Sequence, residues 1–201
     1  MNQLDGRHIL FVVGMHRAGT SALCAALSAC GAHFGAGLLE PMAGVNDEGF
    51  WEMPEVVAIN DELLQLADST WFAVSPRALE MDWQTGVSVQ LRSRALALLD
   101  SEFRSAGVMV IKDPRLCLTL PFWLSVCGEL ALAASVCLIW RAPMEIARSL
   151  QKRDAFPPGF GLRLFAIYRG AALAAAGPRA LQVNYQALLD DPVATMQRLA
   201  G

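Results

Sequence analysis

A chain of 201 residues has room for one domain with a sizeable core. Its 54% hydrophobic and 17% charged residues exclude a disordered polypeptide, and its net charge of −3 argues against a general nucleic-acid binder, which would carry a basic face. Lys112 and Lys152 are the only lysines, so nearly all positive charge is arginine.

In chain order, His8 to Val13 reads as a buried strand. Gly14 to Gly19 is a turn, and Thr20 to Cys30 a helix ending near Gly31. Leu38 to Trp51 lacks periodicity and reads as a loop. Helices follow from Pro54 to about Ala67 and from Val87 to Ser105, then a strand from Val108 to Ile111. Leu116 to Val126 is helical and Ala134 to Trp140 a strand. Pro143 to Lys152 and Gly161 to Ala176 are helices, Leu181 to Asn184 a strand, and Pro192 opens a last helix. Such alternation predicts an α/β fold, a three-layer P-loop-type parallel sheet with helices on both faces. Ligands in such sheets sit outside the carboxyl ends of the strands. Three polar clusters fall there: Gly14–Ser21, Lys112–Arg115 and Arg141.

The apolar run before Gly14 is too short for an export signal. Leu116 to Trp140 is broken by Pro121 and Gly128-Glu129 and holds no continuous apolar span of about 20 residues, so no membrane span is expected. Five cysteines in apolar stretches, without a CxxC, imply a reducing, cytoplasmic compartment and neither a disulfide framework nor a zinc site.

The first cluster, Gly14-Met15-His16-Arg17-Ala18-Gly19-Thr20-Ser21, joins a strand to a helix start. Unpaired backbone N–H groups and a positive dipole end suit phosphate there. The spacing matches G-x-x-x-x-G, but Thr20 stands where an ATPase loop carries lysine, which disfavours ATP or GTP hydrolysis. A ligand-free glycine turn is the bland alternative. The string FVVGMHRAGTSAL resembles the 5′-phosphosulfate-binding loop of the sulfotransferases that use 3′-phosphoadenosine-5′-phosphosulfate (PAPS). The likeness is to the bacterial, carbohydrate and tyrosylprotein branches, which have Arg where cytosolic small-molecule enzymes have Lys. It implies that Arg17 touches the phosphosulfate and that Ala18, Gly19, Thr20 and Ser21 form the 5′-phosphate cradle.

Arg141 and Ser149, eight residues apart across a Pro143 helix start, resemble the family's 3′-phosphate pair, although alone they would be a surface arginine and a helix serine. Lys112-Asp113-Pro114 resembles a segment found after the second core strand in several branches, which implies that Lys112 steadies charge on the sulfuryl group or leaving oxygen. Asp113 also stands where a P-loop NTPase could place its magnesium ligand, and a plain surface ion pair is the alternative. Asn46 to Glu52 resembles an N-x-x-G-[FYW]-[FW]-E segment that borders the acceptor pocket. A glutamate there, its pKa raised by burial, suits the general base: Glu52 first, then Glu48, Glu40 and His16. His8 and His33 read as structural. Phe50, Trp51, Trp71 and Phe72 could line an acceptor pocket, but aromatic residues near helix boundaries are more often core. Val183 to Pro192 resembles the family's strand-plus-Tyr-x-x-Leu-x-x-x-Pro segment.

The resemblance thus implies a single sulfotransferase-like domain over residues 1–201, shortened at its C-terminus relative to family members that continue into a basic loop. It implies PAPS as co-substrate, adenosine 3′,5′-bisphosphate as product and no required metal. The acceptor would be a small molecule, carbohydrate or lipid with a hydroxyl or amine. Two competing readings are a P-loop small-molecule or nucleoside kinase, opposed by Thr20, and a non-catalytic nucleotide-binding relative of the sulfotransferases.

Overall fold

The computed structural model describes residues 7–42, 49–102 and 107–200. Four strands form one sheet: β1 (Arg7–Val13), β2 (Gly107–Lys112), β3 (Ala133–Trp140) and β4 (Leu181–Asn184). All neighbours are parallel, in the order β2-β1-β3-β4. Leu10 is in register with Val110 on one side and Ser135 on the other.

Alternation along each strand divides the core into two layers. Ile9, Phe11 and Val13 point into the larger one with Met109, Ile111, Val136 and Leu138. Covering them are α2 (Pro54–Leu66), α4 (Val89–Glu102), α5 (Leu116–Glu129), α6 (Pro143–Asp154) and α7 (Pro158–Ala176), with the short α3 (Pro76–Glu80) at the margin. Val12, Val110, Cys137, Ile139 and Val183 point the other way, against α1 (Thr20–Ala29), α8 (Tyr185–Asp190) and α9 (Pro192–Ala200). The α/β fold with helices on both faces is therefore observed.

Proline starts five of these helices, α2, α3, α6, α7 and α9, where its missing N–H removes nothing from the ladder. Two helices go beyond the sequence reading. Ser75 caps α3 by accepting from the Ala78 N–H, and Asn184 caps α8 by accepting from the Ala187 N–H at 3.1 Å. The helix expected from Gly161 starts three residues earlier, at Pro158.

Four of the cysteines (Cys24, Cys117, Cys127, Cys137) are buried and the fifth, Cys30, is exposed; all are unbridged. Burial pushes the Cys24 and Cys137 thiols up to about 12, so they serve as small apolar side chains. Among the described residues no helix is long and apolar enough to cross a membrane.

The first crossover carries the chain from β1 to β2 at one edge, and the next returns it past β1 to β3. The crevice where strand order reverses therefore opens beside the carboxyl end of β1, the general ligand position of open α/β sheets.

Candidate functional site

A cavity of about 400 Å³ opens at that crevice. Its lining includes Arg17, Gly19, Thr20 and Ser21 after β1, Lys112 and Arg115 after β2, and Arg141 after β3. The three clusters that the sequence placed on one sheet edge converge here. Arg153, from the last turn of α6, adds a fifth cation, and among the described residues Glu52 is the one carboxylate in the lining. A protein of net charge −3 thus gathers five cations at one cavity, and Glu52, Asp61, Asp113, Glu145 and Asp154 pair with four of them from its walls and rim. These carboxylates offset part of the mutual repulsion of the cations. Burial and the neighbouring Arg153 and Arg141 push the Arg17 guanidinium below its ordinary pKa.

The loop after β1 is tightly wound. Ala18 N–H donates to the Met15 carbonyl at 3.0 Å, and the Ala18 side chain packs into the core rather than into the cavity. Arg17 adopts φ 70°, a left-handed conformation rare for a residue with a side chain. Its Nε donates to Ser149 Oγ at 2.8 Å, which ties the loop to α6. Ser149 thus meets Arg17 rather than standing beside Arg141 alone.

Gly19, at φ 97°, precedes α1 and supplies no side-chain cap, and no acid occupies the first turn of the helix. A Cβ built on Gly19 would lie 2.1 Å from Tyr185 Cδ2. Tyr185 in turn carries the Arg141 guanidinium over its ring at 4.7 Å, a cation–π contact that locates this arginine at the cavity rim. Arg141 Nε also donates to Glu145 Oε2 at 2.7 Å, and Nη1 reaches the Arg17 carbonyl at 3.5 Å. Gly19→Ala should therefore displace Tyr185 and destabilise the chain by about 1–3 kcal/mol, read as the denaturant midpoint at constant slope. An unchanged midpoint would mean that the close approach of Gly19 to Tyr185 is absent.

On the opposite wall Lys112 Nζ donates to Glu52 Oε1 at 2.6 Å and to the Phe50 carbonyl at 2.7 Å. The pair is nearly sealed, with side-chain exposures of 3% and 9%. Burial pushes the Glu52 carboxyl above the ordinary glutamate range, and the Lys112 ammonium pulls it partly back. Of the other candidate bases, Glu40 is exposed and does not line the cavity, and Glu48 lies outside the described residues, as does Asn46. His16 lines the cavity and stacks on Trp71 with ring centroids 4.4 Å apart. Its Nε2 is buried without a hydrogen-bond partner. Desolvation, then Arg153, Arg115, Lys112 and Arg17, hold its pKa well below the usual histidine value, so the imidazole is neutral.

Asp113 faces away from the cavity. Fully buried, its carboxylate accepts from Asn60 Nδ2 at 3.0 Å, from the Arg115 backbone N–H at 2.8 Å and from Arg115 Nη1 at 3.1 Å. Asn60 Oδ1 accepts from Thr119 Oγ1 and Trp123 Nε1 in the same network. Asp113 therefore serves to position Arg115, whose Nε also donates to Asp61 at 2.6 Å. Burial opposes the charge on Arg115, but Asp113 and Asp61 outweigh it and raise its pKa.

His8 Nε2 lies 3.0 Å from Ser135 Oγ, and His33 pairs through its backbone with the β2 edge; neither lines the cavity. Of the aromatic residues, Phe50 lines the cavity and Trp51 packs on Phe34 at 4.8 Å. Arg115, Arg153 and Tyr185 are the polar lining residues among those described to which the sequence reading gave no individual role.

No family model matches the sequence, and no curated protein matches it. Among solved structures, the sulfotransferase domain of the olefin synthase of Synechococcus PCC 7002 matches with a TM-score of 0.57. The match covers 96% of this chain and 71% of that one, at 17% identity. The chain therefore has a sulfotransferase-like α/β fold, with a polycationic cavity at the mouth of its parallel sheet.

Proposed function

We propose that the protein transfers the sulfuryl group of PAPS to a hydroxyl or amine acceptor, releasing adenosine 3′,5′-bisphosphate. The observation that carries the proposal is the five-cation cavity at the uncapped start of α1. PAPS presents a 5′-phosphate, a sulfuryl group and a 3′-phosphate, and the cavity has cations spread across strand ends β1, β2 and β3 to meet them. Gly19, Thr20 and Ser21 would cradle the 5′-phosphate at the helix N-terminus. Arg141, held over Tyr185, would take the 3′-phosphate by a forked contact, with Glu145 yielding its place. Ser149 would act there by fixing Arg17. One domain would hold all of these groups.

In the transfer step the acceptor oxygen or nitrogen forms its bond to sulfur as the bond from sulfur to the bridging phosphate oxygen breaks. The electron pair leaves with the phosphate. Arg17 and Lys112 would stabilise that charge; preorganised donors of this kind are often the largest catalytic contribution. Glu52, raised in pKa and facing the same cavity, would take the acceptor proton. Side chains supply the positive charge, so the reading calls for no metal.

Glu52 acts as carboxylate, so transfer should rise with pH through its pKa, which burial places above the ordinary glutamate range. Glu52→Gln should abolish that acid limb of kcat/KM and lower the plateau by about 10²–10⁴-fold. An acid limb that survives in the variant would assign the base elsewhere. The reaction itself is tested by following adenosine 3′,5′-bisphosphate release from PAPS with a panel of alcohols and amines. Phosphoryl transfer from ATP–magnesium to the same panel would favour a kinase instead.

A further inference from the structure

The structure has a second cavity, of about 450 Å³. Its walls are Phe72, Val74, Phe156, Phe160, Leu164 and Ile167, and Arg163 is the only charged residue among those lining it. The rings form a continuous surface: Phe72 to Phe156 at 5.9 Å and Phe156 to Phe160 at 4.9 Å. Phe72 is 41% exposed, a large apolar side chain left open to solvent.

Trp71 contacts lining residues of both cavities. One side of the indole meets Phe72 at 5.4 Å and Phe156 at 5.8 Å. The other meets His16 at 4.4 Å and the Arg153 guanidinium at 5.2 Å, both of which line the anion cavity. Its backbone is held in place. Tyr168 Oη donates to the Trp71 carbonyl at 2.5 Å, and Ser69 and Ser75 close the surrounding loop through the Ala67 carbonyl. Trp71 thus bridges the two linings, with the Arg153 charge at one set of its contacts and the aromatic carbon of Phe72 and Phe156 at the other.

We infer that the cleft walled by Phe72, Phe156 and Phe160 holds the acceptor, and that the acceptor carries its hydroxyl or amine on an uncharged aryl or alkyl body. The inference rests on the sulfuryl-transfer reading. A saccharide does not suit this surface, because its hydroxyls would lose water and find no partners on the phenyl rings. An aryl or alkyl body loses nothing polar on entry, and the volume lies in the range of small-molecule sites.

Calorimetry with 2-naphthol, 1-octanol and N-acetylglucosamine, together with turnover of each using PAPS, tests the inference. Phe156→Ala and the more exposed Phe72→Ala are compared with the parent chain, and adenosine 3′,5′-bisphosphate affinity is measured in all three. The two apolar alcohols should bind and the saccharide should not. Each variant should weaken alcohol binding and kcat/KM by about tenfold while leaving bisphosphate affinity unchanged. Preference for the saccharide, no binding of either alcohol, or alcohol binding indifferent to both substitutions would overturn the inference. Alcohol binding that depends on Phe156 in a protein that binds no bisphosphate would instead overturn the sulfuryl-transfer reading, and with it the acceptor role of the cleft.

Discussion

Arg17→Ala is expected to lower kcat/KM for sulfuryl transfer by about 10²–10³-fold, the usual effect of removing one preorganised donor from a developing anion. Arg17 is the residue most committed to this task. It lies in the loop between β1 and α1, is held by Ser149 through a 2.8 Å hydrogen bond, and sits between Arg153 and Arg141. Its backbone is strained at φ 70°, and holding a non-glycine residue there costs about 1–3 kcal/mol. That strain supplies an internal control. Arg17→Gly should be as inactive as Arg17→Ala yet more stable than it by roughly 1 kcal/mol, because glycine adopts left-handed φ freely. Steady-state kinetics and denaturant midpoints of the two variants separate the guanidinium's role from the backbone's. Activity near the parent level in either variant would remove Arg17 from the transfer step.

The second large effect is on stability. Lys112→Met should destabilise the protein by about 3–5 kcal/mol, since it leaves the Glu52 carboxylate buried opposite no cation. It also removes the donor to the Phe50 carbonyl, which anchors the loop carrying Phe50 and Glu52 to the end of β2. Adding Glu52→Gln should restore most of the loss, because the double substitution leaves no unpaired charge. The coupling in the cycle should therefore be large and opposite in sign to the single losses. Urea unfolding of the four proteins measures it. A loss of under about 1 kcal/mol for Lys112→Met would show that the pair is solvated rather than sealed.

Much of the fold was legible because hydrophobic periodicity and punctuation agreed. β1, β2 and β3 are each built on a short apolar run, and Pro54, Pro143 and Pro192 mark helix starts directly. The two helices left out, α3 and α8, are five and six residues long, too short for a periodic pattern. Their start signals were nonetheless present: Ser75 before Pro76, and Asn184 at the end of β4. The carboxyl-end rule brought Arg17, Lys112 and Arg141 together correctly, since parallel strands leave no other common edge.

What the sequence hid was orientation. Asp113 and Lys112 are adjacent, yet one faces the Asn60–Thr119–Trp123 network and the other faces Glu52, and only packing decides which. Arg153 carried a readable signal that went unused: it is four residues after Ser149, so both occupy one face of α6. Tyr185 was visible as part of a motif, but its contact with Gly19 joins residues 166 positions apart. The apolar cleft was the least legible part. Trp71 and Phe72 come from the loop after α2, and Phe156 and Phe160 from the α6–α7 corner.

Calorimetric titration with adenosine 3′,5′-bisphosphate, compared with ADP and ATP–magnesium and repeated on Arg141→Ala, tests the central claim most directly. The account predicts clear preference for the bisphosphate in the parent protein. In the variant, bisphosphate affinity should fall by about 10–100-fold, the worth of a charge-assisted contact, to the level of ADP, with folding unchanged. Equal or tighter binding of ATP–magnesium, or a bisphosphate affinity indifferent to Arg141, would contradict it.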